Sequence, residues 1–229
     1  MRDLRKNTVT KSNYLIEAGY SLTLNEMRLI LAAISSIDSR GKPMPEEVQI
    51  YAKPFGETYG LSENKSYEAL QEAVERLYER DIRTFDGVHA TRFRWVDKIT
   101  YHTQEGYVSL SFTKWLKPYI TKLHKCFTSY NMQYISKLKS KFSIRLFELL
   151  AQYKSTGFYI VDIDKFREML ELTDKYQRFA NLKARVLEPA VNELREKSGI
   201  EVDYEVIKRG RTPKRLKFTF VLNEQIALF

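Results

Sequence analysis

Five cationic side chains stand within eight residues at positions 208–215, in a stretch that contains no acid. Lysine and arginine at this density bind phosphate groups, arginine through two parallel hydrogen bonds and lysine as a point charge. A solubilising surface usually mixes the two signs of charge, which this stretch does not do. It therefore predicts contact with a polyanion such as nucleic acid. Its cations are Lys208, Arg209, Arg211, Lys214 and Arg215.

Two further segments carry cations without acids, in a chain whose formal net charge is +9. Residues 114–145 contain eight lysines and arginines, and residues 175–187 contain four. The four are Lys175, Arg178, Lys183 and Arg185. Because the positive charge falls in blocks, we expect it to meet a phosphate backbone rather than to serve solubility alone.

Catalytic and metal-binding patterns are absent from the sequence. The histidines, His89, His102 and His124, are too far apart for the common metal motifs, and no Gly-rich phosphate loop ends in Lys-Ser or Lys-Thr. A lone cysteine such as Cys126 is far more often structural than nucleophilic. We therefore expect a protein that is not an enzyme and that uses no metal or cofactor.

Bulk features place the chain inside a cell. No run of 18 apolar residues predicts a transmembrane helix, and the first residues lack the apolar core of a secretory signal. With one cysteine, no disulfide can form within the chain, which suits a reducing cytosol. We expect a cytoplasmic protein without a membrane partner.

The basic segments fall on elements that can position them against DNA. Alternating apolar residues at 200–206 and 216–222 predict two strands, with the 208–215 stretch at their turn. A longer helix precedes them, and we expect it to begin near Lys175 with Thr173 or Asp174 as its cap. Acids, not cations, are favoured at a helix N-terminus, so groove contact explains its basic start better than a solvated face does. Pro189 predicts a kink or a new first turn near Glu188.

An internal repeat organises the chain. Helix, strand, helix, turn, helix and hairpin occur once before residue 113 and again after residue 140, with Phe55 and Tyr59 matched by Phe166 and Leu170. This order predicts an α+β fold of two tandem winged helix-turn-helix domains related by an internal pseudo-repeat. We expect an N-terminal domain at 1–120, for association and secondary DNA contact, and the main DNA-binding domain at 121–229.

The first module looks less suited to DNA. Its second helix, expected at residues 64–80, carries four glutamates, and only its start, Asn64, Lys65 and Ser66, fits a DNA contact. The turn at residues 102–106 lacks cations. Three strand cations could touch phosphate or have a cross-strand role in solvent: Arg92, Arg94 and Lys98. Thr23 and Glu26 predict a capping box at the start of an earlier helix. Residues 8–18 suggest a short helix, and residues 114–141 a connector with short helices. Aromatic residues could stack on single-stranded bases, but their alternate strand positions favour the core. These residues are Phe93, Trp95, Tyr101, Phe218 and Phe220.

Three stretches carry a resemblance to a known family: "VTKSNYLIEAGYSLTLNEMRLIL", "AKPFGETYGLSENKSYEALQEAVERLYER" and "RFANLKARVLEPAVNELREKSGIEVDYEVIKRGRTPKRLKFTF". Together they resemble the iteron-binding plasmid replication initiators, which have two winged-helix domains in tandem. The third is the most specific, because a helix with an internal Leu-Glu-Pro-Ala rarely precedes a basic hairpin. Lys183 and Arg185 match the basic positions of the family's recognition helix.

The resemblance implies a function that spacing alone does not. Such proteins bind direct repeats of double-stranded origin DNA as monomers, promote opening of the origin, and recruit the host initiator and replicative helicase. As homodimers, formed through the N-terminal domain, they repress their own gene, and chaperones convert dimer to monomer. It also implies a bacterial cytoplasmic protein associated with the plasmid and nucleoid.

Two alternatives stay open at this stage. A winged-helix transcriptional repressor without initiator activity would show the same charge pattern. A replication enzyme that nicks DNA through a tyrosine would need a metal-binding histidine cluster, which the sequence lacks.

Overall fold

The computed structural model describes residues 3–39, 41, 43–85 and 87–222, without the side chain of Glu63. The chain forms two compact units that divide between Ser136 and Lys137. The division therefore lies later in the chain than the boundary expected after residue 120.

Unit 1 contains five α-helices and seven strands among its described residues. The helices are α1 (Asn13–Glu17), α2 (Leu24–Ser35), α3 (Ala52–Tyr59), α4 (Glu63–Tyr78) and α5 (Gln133–Ser136). The strands are β1 (Thr8–Ser12), β2 (Val48–Tyr51), β3 (Asp81–Phe85), β4 (Ala90–Arg94), β5 (Val96–His102), β6 (Tyr107–Phe112) and β7 (Phe127–Asn131).

Strand β1 corrects two expectations for unit 1. The short helix expected at 8–18 is confined to α1, and the residues before it pair antiparallel with β7, Thr8 opposite Asn131. The expected connector after Lys114 therefore contains a strand as well as short helical turns. Because the strand partners are so far apart in the chain, local periodicity could not reveal them. The pairing also explains why residues 121–136 fold with unit 1.

The N-terminus of α2 is closed as expected. The Thr23 hydroxyl accepts a hydrogen bond from the backbone N–H of Glu26 at 3.3 Å, and the Glu26 carboxylate accepts one from the N–H of Thr23 at 2.8 Å. The same carboxylate accepts two bonds from the guanidinium of Arg80, just beyond α4, at 3.0 and 3.1 Å. Glu26 is fully buried and thus ties α2 to the end of α4.

Unit 2 contains four α-helices and three strands in its described part. The helices are α6 (Lys141–Ala151), α7 (Ile163–Met169), α8 (Phe179–Leu182) and α9 (Glu188–Lys197), and the strands are β8 (Phe158–Asp162), β9 (Ile200–Arg209) and β10 (Thr212–Leu222). A π-helical turn, Lys183–Leu187, joins α8 to α9.

The sheets of the two units confirm the internal repeat. The main sheet of unit 1 has the order β2-β6-β5, and that of unit 2 the order β8-β10-β9. In each, the last strand of the unit's hairpin lies in the centre and the strand before the helix-turn-helix lies beside it. Unit 1 adds two separate pairs, β3–β4 and β1–β7.

Aromatic residues form much of both cores, as the strand alternation predicts. Trp95 is fully buried and packs edge-on against Tyr20, with ring centroids 5.0 Å apart. In unit 2 the buried ring of Phe218 packs near those of Phe166 and Tyr159. Tyr101 is the exception, since its side chain is exposed.

The single cysteine, Cys126, is exposed and therefore contributes no core packing.

In the part of the chain that the structure describes, every helix is too short or too polar to cross a bilayer.

Candidate nucleic-acid interface

The helix predicted to begin near Lys175 begins later, at Phe179, with Arg178 in the capping position. The reason lies in the backbone of Tyr176, whose φ of 52° is left-handed and incompatible with an α-helix. The buried guanidinium of Arg167 on α7 holds this turn by donating to the carbonyl oxygens of Tyr176 at 2.9 Å and Gln177 at 3.1 Å. Lys175 therefore lies in the turn of the helix-turn-helix rather than on its second helix.

The second helix runs from Phe179 to Lys197 with a wider turn in its middle. The π-helical turn ends at Leu187, and regular α-helix resumes at Glu188 with Pro189 in its first turn. Proline has no N–H to donate to the carbonyl four residues earlier, so a regular α-helix cannot pass through this point unchanged. A new turn near Glu188 is thus confirmed. Lys183 and Arg185 lie on the widened turn.

One face of this helix packs inward and the opposite face is exposed. Leu182, Val186 and Val191 are buried, whereas Asn181 and Arg185, four residues apart, are exposed and lie on neighbouring turns. Sequence reasoning missed Asn181, although its spacing from Arg185 was a usable signal. An asparagine amide can pair with the edge of adenine as an arginine pairs with guanine.

The C-terminal half of the helix is anchored to the start of α6. The Glu193 carboxylate accepts hydrogen bonds from the backbone N–H groups of Lys139 at 2.9 Å and Ser140 at 3.1 Å, and from Lys197 Nζ at 2.9 Å. Burial opposes ionisation of Glu193, but these bonds outweigh it and hold the pKa of the carboxyl below its ordinary value. The anchor is therefore charged at neutral pH, and its stabilisation is lost as pH falls through that lowered pKa.

The basic 208–215 stretch forms the tip of a hairpin, as expected. Strands β9 and β10 pair up to Arg209 opposite Thr212, leaving Gly210 and Arg211 as the turn. Gly210 has a φ of 61°, which suits the first central position of a type II′ turn. The register shifts between Pro213 and Arg215, so Lys214 is the extra residue of a bulge.

The cations of this hairpin are exposed and mostly unneutralised. Arg215 lies 4.0 Å from Asp162, while the other four have no ion-pair partner among residues 3–39, 41, 43–85 and 87–222. On the preceding helix and turn, Lys183 lies 3.3 Å from Glu188, and the remaining three cations likewise have no acid partner in that part of the chain. Those seven side chains are Lys175, Arg178, Arg185, Lys208, Arg209, Arg211 and Lys214. Unneutralised cations concentrate positive potential on unit 2.

In unit 1, the corresponding helix α4 presents fewer candidates. Asn64 and Lys65 are exposed in its first turn. Ser66 corrects the expectation, because it is 1% exposed and its hydroxyl donates to the carbonyl of Ser62 at 2.8 Å. Its side chain packs against Gly56 of α3, where an added Cβ would lie 1.9 Å from Ser66 Oγ. Ser66 thus serves the α3–α4 contact rather than a surface.

We expect the Gly56→Ala variant to lose about 1–3 kcal/mol of unfolding free energy, because the new methyl group overpacks this contact. Urea denaturation measures the loss. Ser66→Gly removes the obstructing side chain, so the double variant should lose less than the sum of the two single variants. A Gly56→Ala protein as stable as its parent would contradict the tight contact.

The strand cations of unit 1 are paired with acids. Arg92 contacts Asp81, Arg94 lies 3.0 Å from Glu79, and Lys98 lies 2.6 Å from Glu47. Of the two roles left open by the sequence, the structure thus favours ion pairing within the unit. The β5–β6 turn at residues 103–106 carries no cation. Charge therefore distinguishes the two copies of the repeat more clearly than topology does.

No three histidine, cysteine or carboxylate side chains in the described part of the chain lie close enough together to hold a metal ion.

Comparison with known proteins supports this view of the two units. Residues 8–151 match a protein-family model described as "Initiator Replication protein, WH1", and residues 162–220 match one described as "Initiator Rep protein, WH2".

Individual relatives agree with these matches. A "Replication initiation protein" of Escherichia coli is 27% identical over 230 residues, covering 96% of this chain and 71% of the relative. The "PI protein" of Escherichia coli is 31% identical over 147 residues, covering 56% of this chain and 48% of that protein. Among solved structures, the crystal structure of Pi initiator protein in complex with iteron DNA has a TM-score of 0.79 at 25% identity, covering 96% of this chain and 99% of that one.

Proposed function

The chain belongs to the initiator replication protein family, with a WH1 and a WH2 winged-helix domain, and from this premise we propose that it binds directly repeated sites in double-stranded DNA at a plasmid origin and initiates replication there. The observation that carries the proposal is the set of exposed cations on the turn, second helix and hairpin of unit 2 that have no acid partner among the described residues. A similar chain fold, that of Pi initiator protein, is seen in complex with iteron DNA.

Within this function, unit 2 makes the main DNA contact. The second helix enters the major groove with Arg178, Asn181 and Arg185, and the hairpin grips the adjacent phosphates as a wing. Lys175 and Lys183 contact the backbone beside the helix, as do Lys208, Arg209, Arg211, Lys214 and Arg215 on the wing. Phosphate contacts fix the register, and base contacts supply specificity.

Unit 1 has a lesser role on DNA and a larger one in association. Asn64 and Lys65 supply a secondary DNA contact at the start of α4. The strand cations of this unit are neutralised by acids, and Phe85 at the end of β3 is 65% exposed. An exposed apolar ring, in a unit whose strand cations are paired with acids, suits a protein surface better than a phosphate backbone. We infer that homodimers form through unit 1 and that monomers bind the repeats.

The remaining parts of the proposal concern the cell. Bound to the repeats, the protein promotes opening of the origin and recruits the host initiator and replicative helicase. As a dimer, which chaperones convert to monomer, it represses its own gene. It acts without catalysing a reaction, in the bacterial cytoplasm on plasmid DNA at the nucleoid.

The proposal is tested by footprinting on the DNA upstream of the gene, together with a replication assay. We expect protection of direct repeats, and autonomous replication of a plasmid that carries the gene and those repeats. Protection of an inverted repeat alone, with no replication, would contradict initiation. Cleavage of supercoiled origin DNA in the presence of a divalent metal would contradict the absence of an enzymatic step.

We expect Arg185→Ala to weaken binding to the specific site by about 1–3 kcal/mol and to relax sequence preference at one position, because a bidentate guanine contact is lost. Titration of specific and random duplexes by anisotropy measures both effects. Arg185→Lys retains the charge without the planar fork, so it should recover little of the specificity. Equal losses on both duplexes would assign Arg185 to phosphate instead.

A further inference from the structure

An exposed tryptophan lies within a basic loop of unit 1 that the proposed DNA interface does not use. The loop, Lys114–Cys126, links β6 to β7 and contains no acid. Trp115 is 61% exposed, whereas the other tryptophan, Trp95, is fully buried. A large exposed aromatic ring calls for an explanation, since its burial elsewhere would stabilise the fold.

Packing and backbone hydrogen bonds hold the loop that carries this ring. Leu116 and Ile120 are fully buried, and the ring of Tyr119 stacks on that of Phe93 with centroids 5.8 Å apart. Backbone bonds fix its later part, from Leu123 N–H to the Ser39 carbonyl at 3.2 Å and from Asn13 N–H to the Cys126 carbonyl at 2.8 Å. The exposure of Trp115 is therefore a property of an anchored loop.

The loop that carries the tryptophan also carries four exposed lysines. Lys114 Nζ lies 4.8 Å from the centre of the Trp115 ring, and the 3-10 turn that follows begins with the exposed Lys117. Lys122 and Lys125 are also exposed, and none of the four lysines forms an ion pair within the described part of the chain. The backbone of Lys122 is left-handed, with a φ of 53°. Strained backbone held by its surroundings is more frequent in functional loops than elsewhere.

We propose that the loop Lys114–Cys126 binds single-stranded nucleic acid, with one base stacked on Trp115 and phosphates held by lysines of the same loop. Proteins bind single strands through a positive surface that follows the backbone and aromatic rings on which bases stack. In duplex DNA the base faces are covered by neighbouring pairs, so an exposed ring finds no partner there. A protein partner without acidic side chains would use the ring but leave the four lysines unneutralised. The inference rests on the proposed function, since opening of the origin supplies a single strand.

Intrinsic fluorescence of the full chain tests this proposal directly, because Trp95 is buried and Trp115 is exposed. Titration with a 30-nucleotide oligo(dT) should quench the emission, and a matched oligo(U) distinguishes DNA from RNA. Tighter binding of oligo(dT) than of oligo(U) assigns the site to DNA. Equal quenching by the two shows that the site accepts single strands of either DNA or RNA. Absence of quenching and of binding by both oligonucleotides would overturn the proposal.

Variants separate stacking from charge. Trp115→Ala should lower affinity for oligo(dT) about tenfold, the loss of one stacked base, and leave affinity for duplex repeats unchanged. Trp115→Phe keeps an aromatic ring, so its affinity for oligo(dT) should lie between those of the parent and Trp115→Ala. Replacing Lys114, Lys117 and Lys122 with alanine should flatten the slope of log affinity against log salt on single strands by about two units, since each phosphate contact contributes about 0.7. Tyr101→Ala removes another exposed ring, which lies near Glu75 and Asp97, and should leave oligo(dT) affinity unchanged. Circular dichroism checks the fold of each variant.

Three outcomes would overturn the inference. They are unchanged oligo(dT) affinity in Trp115→Ala, equal losses on single strand and duplex, and a shift in oligomeric state that shows the ring to be covered by a second copy. If the parent protein binds duplex repeats but no single strand, only this inference fails. If it binds oligo(dT) but no repeats, the proposed function fails instead.

Discussion

Replacing Arg209, Arg211 and Lys214 with alanine is expected to lower the affinity of the protein for duplex DNA by about two orders of magnitude near 0.15 M salt. Each phosphate contact releases counterions and contributes about 0.9 to the slope of log affinity against log salt. Three lost contacts therefore flatten that slope by about 2.7 units. Between about 1 M and about 0.15 M salt the logarithm of the salt concentration changes by about 0.8, so these contacts contribute about two decades of affinity near 0.15 M. All three side chains are exposed, and none has an acid partner among the described residues.

The matched control is the same number of cations on unit 1. Arg92, Arg94 and Lys98 are already neutralised by acids within their own unit. Their replacement by alanine should leave the slope nearly unchanged, although it removes an equal formal charge. Affinities on a duplex without repeats, measured over a range of salt, give both slopes. Equal slopes for the wing variant and its parent would show that the hairpin makes no phosphate contact.

The parts of the fold and site that the sequence predicts well are those set by local signals. Alternation at 200–206 and 216–222, with Gly210 between, identifies both the hairpin and its tip, because strand period and turn chemistry are local properties. The capping box at Thr23 and Glu26 is local as well. The absence of acids from residues 206–222 is also visible in the sequence, whereas the contact of Arg215 with Asp162 is not.

Three of the errors depend on contacts between residues more than two helical turns apart in the chain. Strand β1 exists because Thr8 finds Asn131, and Ser66 is buried because α3 presents Gly56 to it. The second helix of unit 2 begins late because Arg167 binds the carbonyl of Tyr176 and holds its left-handed backbone. None of these partners lies within one helical turn of the residue it constrains. Neither hydrophobic periodicity nor secondary-structure propensity can therefore reveal these contacts.

We expect Arg80→Ala to reduce the unfolding free energy by about 3–5 kcal/mol, because it leaves the buried Glu26 carboxylate without its charged partner. Glu26 is 0% exposed on its side chain and receives both guanidinium hydrogen bonds, while Arg80 is 38% exposed. Glu26→Ala should reduce the unfolding free energy less, since the guanidinium of Arg80 left without a partner can reach water. Glu26→Gln should reduce it less again, since the amide oxygen still accepts the hydrogen bond from the Thr23 N–H. Equilibrium urea unfolding followed by circular dichroism measures all three.

The order of these losses distinguishes a buried charge network from a simple surface pair. Glu72 and Arg76 form an i, i+4 pair on α4 with both side chains more than half exposed, so Arg76→Ala should cost at most about 0.5 kcal/mol. If Arg80→Ala cost no more than Arg76→Ala, the Glu26 carboxylate would have to be solvated or protonated in the folded state. Because Glu26 joins α2 to the end of α4, a loss on the expected scale would also weaken the support of the helix that presents Asn64 and Lys65. Repeat binding by Arg80→Ala below its unfolding transition should then fall slightly, and far less than in the wing variant.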